Sequence, residues 1–149
     1  MKYTLTIFFI IFIFPMFGND LYKFRMILNI ETITLELPDG SIFQVVSGKG
    51  GFTDNKGNFG DVQANGTREA DNEKNLIDTN VLMILEKDNK NKFWGKAIRK
   101  NSDTDVGGGG IFQIIAGIGE FKGLIGKNCK YALAATENFT VMQDVICKP

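Results

Sequence analysis

Histidine is absent from the chain. That removes the commonest general base and the commonest metal ligand together. Ser-His-Asp and Cys-His nucleophilic machinery cannot be assembled from these residues alone, and two cysteines are too few for a Cys/His zinc site. Net charge is missing as well: 17 Lys and Arg balance 17 Asp and Glu. There is no basic excess to hold a phosphate backbone, and the aromatics are not interleaved with Lys/Arg clusters, so nucleic acid is not an expected partner. Beyond the N-terminal stretch no segment sustains a helical period, and 149 residues bound the chain to a single domain.

The first residues combine Lys2 with an apolar run, Ile7–Phe17. A positive start followed by a short apolar stretch describes a secretory signal peptide. The run is shorter than the roughly 20 residues that span a bilayer. Pro15 breaks it near its end and Gly18 offers a small residue for cleavage, so residues 1–18 read as a signal peptide and 19–149 as the mature domain. An uncleaved anchor is the alternative. The expected location is secreted or periplasmic, with no stable membrane insertion after cleavage.

Glycine is what the chain has in place of helix. Eight of its 17 glycines fall in Gly107–Tyr131, at 107–110, 117, 119, 123 and 126. Glycine between short β-prone runs marks bends and close backbone approaches. Upstream, Tyr22, Phe24, Met26, Leu28 and Ile30 alternate with polar residues, a strand with one buried face. Ile33, Leu35 and Leu37 then take the opposite parity, which predicts a bulge or break near Glu31. Pro38-Asp39-Gly40 is a turn, with Ile42–Ser47 returning as the next strand. Gly48–Gly51 forms a second glycine cluster, and Phe52–Phe59 reads as a tight hairpin. Strands are expected over Val62–Glu69, Leu76–Glu86 and Phe93–Arg99, with polar turns between. Strands recurring about every 8–12 residues predict an all-β fold, an antiparallel sandwich or barrel.

Cys129 and Cys147 are the two cysteines. In an exported chain an even count favours a disulfide. A hairpin centred on Asn138 puts 129 opposite 147, since each lies nine residues from the centre. The same register pairs Tyr131 with Val145, Leu133 with Gln143 and Ala135 with Val141, a mostly apolar face. Two free buried thiols are the alternative.

Motifs that would name a chemistry are incomplete. The P-loop pattern fails around Gly126-Lys127, with Phe121 at the first glycine position and Asn128 at the hydroxyl position. The dinucleotide fingerprint begins at Gly117 and Gly119 but ends on Lys122, with no βαβ unit around it. A calcium loop at Asp54 is spoiled by Lys56 at its second ligand position. Glu86, Asp103, Asp105 and Glu120 are the carboxylates near apolar or glycine-rich segments, and each reads first as a surface acid. Asn65-Gly66-Thr67 and Asn138-Phe139-Thr140 match the N-glycosylation pattern. No catalytic residue, metal site or cofactor is expected. Trp94, Glu120 and Tyr131 are the candidate ligand contacts.

The run Gly117-Ile118-Gly119-Glu120-Phe121-Lys122-Gly123-Leu124-Ile125-Gly126, followed by Tyr131, resembles the barrel signature of the allene oxide cyclase and dirigent group. Residues 93–110 resemble secreted bacterial proteins of that barrel type. The resemblance implies an eight-stranded antiparallel barrel in which Gly117, Gly119, Gly123 and Gly126 are structural, with a central cavity that is filled or holds one small ligand. It also allows a homo-oligomer, since dirigent-like barrels often associate. It carries no activity. The leading expectation is a non-enzymatic exported barrel that binds a small apolar molecule or a cell-envelope partner. The alternative is a cyclase- or dirigent-like enzyme that steers a reactive hydrophobic intermediate by cavity shape. An open apolar cavity with a carboxylate or tyrosine favours the enzyme; a cavity plugged by large side chains leaves neither.

Overall fold

Tyr22, Phe24, Met26 and Leu28 are buried while residues 23, 25, 27 and 29 are exposed, so β1 (Tyr22–Glu36) opens with the alternation its sequence shows. The computed structural model describes residues 21–102, 107–136 and 140–148. Seven further strands follow: β2 (Ile42–Asp54), β3 (Phe59–Ala70), β4 (Leu76–Asp88), β5 (Asn91–Ser102), β6 (Gly107–Ile118), β7 (Asn128–Ala135) and β8 (Thr140–Cys147). Each pairs antiparallel with the next, and β8 pairs with β1, closing an eight-stranded barrel. From Thr32 the opposed pairs run through Val46, Gly66, Val81, Ala97, Phe112, Cys129 and Cys147 to Tyr22. The circuit returns ten residues back along β1. That stagger tilts the strands and gives the barrel room for side chains or one small ligand.

Three features depart from the sequence reading. β1 crosses Glu31 without a bulge, in unbroken register with β2 from Phe24 to Glu36. Ile33, Leu35 and Leu37 simply face outward, exposed, while Thr32 stays on the inner parity. The Gly48–Gly51 cluster lies within β2, which runs on to Asp54. Gly119–Leu124 is a short 3-10 helix, where bends between strands were expected. The hairpin register of β7 and β8 is the expected one, with Cys129 opposite Cys147 and Tyr131 opposite Val145. Cys129 and Cys147 form a disulfide. The signal-peptide segment, Asp103, Asp105 and the turn at Asn138 lie outside the described residues.

One end of the barrel is solid. Phe24, Phe52, Phe93, Phe112 and Phe121 interlock there, with ring centroids 5.3 Å apart for Phe24–Phe112 and 5.0 Å for Phe93–Phe121. The 3-10 helix supplies Phe121 and Leu124 to this cluster and so stoppers the barrel. Tilted and edge-on aromatic pairs of this kind add stabilisation beyond the area they bury. Tyr22 closes the same end, its hydroxyl donating to Asp54 Oδ2 at 3.0 Å.

Candidate ligand cavity

Large side chains on the inner face give way to small ones towards the other end. Along β5 the inner residues are Phe93, Gly95, Ala97 and Arg99; β3 contributes Val62, Ala64 and Gly66. The space left is a cavity of about 390 Å³. Ligand pockets run from about 300 to 1,000 Å³. The apolar wall of this cavity comes from Leu28, Ile30, Val46, Ala64, Leu76, Val81, Met83, Ala97, Leu133 and Val141.

A polar row crosses this wall at Gln44, Arg68, Thr79 and Arg99 and ends outside it at Thr34. Thr34, Gln44, Arg68, Thr79 and Arg99 stand directly opposite one another on β1 to β5. Arg68 Nη1 donates to Gln44 Oε1, and Gln44 Nε2 donates to Thr34 Oγ1 at 2.8 Å. Arg99 is a buried cation, 6% exposed. Tyr131 and Gln143 complete the polar lining from β7 and β8. Burial pushes the Tyr131 phenol up, opposed by the positive charge of Arg99, so at neutral pH it is a neutral hydrogen-bond donor.

The glycine run of β6 makes room for two of these groups. A Cβ at Gly108, where φ is +127°, would lie 2.6 Å from Arg99 Nη2. One at Gly110 would lie 2.6 Å from the Tyr131 hydroxyl. Any side chain here would push the guanidinium or the phenol away.

Of the three expected contacts, Tyr131 lines the cavity and Trp94 and Glu120 do not. Trp94 alternates with the buried Phe93 and Gly95 and is partly buried. Glu120 sits on the 3-10 helix at the closed end, accepting from Lys87 Nζ at 2.9 Å. Among the signature glycines, Gly119 and Gly126 have positive φ, Gly117 lies against the Phe121 carbonyl, and a Cβ at Gly123 would meet nothing within 4 Å. The sequence reading gives no ligand role to Arg68, Arg99, Gln44 or Thr79, and it places Gln143 only as the register partner of Leu133. Each is an ordinary polar residue in its own strand, and only the pairing of the strands assembles them. Among the described residues no group of three His, Cys, Asp or Glu is placed to hold a metal. No family model, no curated protein and no solved structure matches the chain.

Proposed function

We propose that this is an exported, non-enzymatic barrel that binds one small, mainly apolar molecule. The observation that carries the reading is the cavity itself: about 390 Å³, apolar in its wall, stopped below by packed aromatic rings. A protein with no use for a ligand gains by covering such apolar surface, because burying it is worth about 25 cal/mol per Å². Export is supported by the Lys2-plus-apolar start and by the Cys129–Cys147 disulfide, a bond that persists in oxidising compartments. The likeness of Gly117–Gly126 to the allene oxide cyclase and dirigent signature agrees with a barrel that holds a ligand.

One observation favours a cyclase- or dirigent-like enzyme as the second reading: Tyr131 places a phenol in the apolar wall. A tyrosine in an open apolar cavity counts towards the enzyme; the binder is ranked first because that phenol, with no carboxylate lining the cavity among the described residues, lacks an acid–base partner. Native mass spectrometry of the mature protein, incubated with an extract of its source, tests both. A retained mass that leaves on unfolding supports a binder when it is released unchanged and an enzyme when it is released converted. A protein that stays bare through repeated trials overturns both.

A further inference from the structure

One residue of the cavity wall has a buried polar atom that the described residues leave unsatisfied. Gln143 is 2% exposed, and its Nε2 is buried with no hydrogen-bond partner among the described residues. It stands on β8 opposite Leu133 and Met26, among apolar side chains, and lines the cavity. A buried amide donor without an acceptor carries a desolvation penalty that native folds rarely leave standing. Tyr131 lies one inward step away on the neighbouring strand, opposite Val145. Its phenol is kept protonated by burial. Two residues that carry donors, an amide and a phenol, therefore line one apolar space from adjacent strands, and Arg99 belongs to the same wall.

We infer that the ligand carries an acceptor oxygen, a carbonyl or carboxylate, received by Gln143 Nε2 and the Tyr131 hydroxyl, with its apolar body on the Val81–Met83–Ala97 side. This rests on the reading of the cavity as a ligand site and adds the chemistry that the ligand must have. A hydrocarbon of the same size would fill the space and leave Gln143 unsatisfied. The penalty for that mismatch is the reason sites built around a polar group reject analogues lacking it.

The test is displacement of the neutral dye N-phenyl-1-naphthylamine from the full mature protein by three probes of matched size: decanoate, 2-undecanone and dodecane. The inference predicts that at least one oxygenated probe binds about ten-fold or more tighter than dodecane. It further predicts that Gln143→Leu removes most of that preference and Gln143→Met does the same, each variant being checked for its native near-UV spectrum. A ketone equal to decanoate assigns the contact to the two neutral donors; a decanoate preference adds the Arg99 charge. Three probes that bind equally overturn the acceptor inference and leave the apolar-ligand reading standing. A dye that binds with none of the three displacing it, or no dye binding at all, overturns both. An oxygen preference that survives in both Gln143 variants overturns the assignment to Gln143.

Discussion

Gly95 and Phe112 occupy one volume: a Cβ on residue 95 would stand 2.0 Å from Cζ of the Phe112 ring. Phe112 is fully buried and meets Phe24 edge-on at 5.3 Å, so its ring has no free direction in which to retreat. Where Gly95 leaves a blank on the inner face of β5, Phe112 fills it from β6. This exchange of small for large marks the boundary between the solid end and the cavity.

Gly95→Ala is therefore expected to destabilise the fold by about 1–3 kcal/mol through overpacking. Urea denaturation followed by tyrosine and tryptophan fluorescence gives the value. The double variant Gly95→Ala with Phe112→Leu should recover part of the loss, because the shorter side chain vacates the contested space. Wild-type stability in Gly95→Ala alone would contradict the packing described.

The disulfide closes a loop of 18 residues between neighbouring strands. Replacing Cys129 and Cys147 together by Ala should cost about 3 kcal/mol in the chain-entropy account, a fall in Tm of roughly 10 °C for a domain of this size. Both cysteines are buried, at 2% and 0% exposure, so reduction of the native protein by millimolar thiol should be slow and should follow unfolding. A protein that is reduced quickly and keeps its Tm would contradict this.

Asp54, Asp71 and Asp88 are spaced at 17 residues, and each ends or follows a strand. Each carboxylate accepts backbone N–H groups of its own turn: Asp71 from Glu73 and Asn75, Asp54 from Lys56 and Asn58, Asp88 from Lys90. Asp71→Ala should cost about 1 kcal/mol, the loss of one turn's hydrogen bonds at a partly exposed site. Asp54→Ala should cost more, because it also strands the buried Tyr22 hydroxyl. Equal losses in the two variants, measured by urea denaturation, would show that the Tyr22–Asp54 bond adds nothing.

Alkaline pH should unfold the protein through its buried tyrosines. The Tyr22 phenol is pushed far up, first by burial and then by the Asp54 carboxylate beside it; the Tyr131 phenol is pushed up by burial. A phenol whose folded pKa lies above its unfolded value of about 10 leaves stability intact below pH 10 and withdraws it as pH rises further. In the mature protein, absorbance at 295 nm should stay flat through pH 10 and rise only together with loss of the near-UV circular dichroism. Tyr22→Phe should move that transition to higher pH while lowering stability at neutral pH by about 1 kcal/mol. Tyrosinate absorbance appearing near pH 10 in a protein that is still folded would contradict the burial of both rings.

Much of the architecture is legible in the residues. The β7–β8 register follows from two cysteines equidistant from one turn and an apolar alternation that fails if the pairing slips by one residue. What could not be read is where the barrel changes its rule. Periodicity locates two faces of a strand, but it assigns the apolar face to the inside by default. At the open end the default reverses: Thr32 stays on the inner side while Ile33 and Leu35 face out, which in the sequence imitates a bulge at Glu31. The polar row is invisible for a related reason. Thr34, Gln44, Arg68, Thr79 and Arg99 belong to five strands and meet only through four registers. The 17-residue spacing of Asp54, Asp71 and Asp88 was available as a signal for those registers. The run Gly107–Gly110 reads in the sequence as a place of bends; two of its members, Gly108 and Gly110, leave space for the side chains of Arg99 and Tyr131.

The central claim is that the space above the aromatic stopper is open and takes an apolar molecule. Ala64 faces it from β3, buried at 1% exposure, so Ala64→Phe fills the cavity from within without touching the polar row. Titration of N-phenyl-1-naphthylamine into the wild-type protein and into Ala64→Phe is the direct measurement. The expected result is saturable binding of one dye per chain in the wild type, weakened at least ten-fold in the variant, which still unfolds in one cooperative transition at a cost of about 1–3 kcal/mol from overpacking. Equal binding by the two proteins would place the dye on the outer surface, and no binding by either would mean that the cavity does not admit an apolar guest; both results contradict the account.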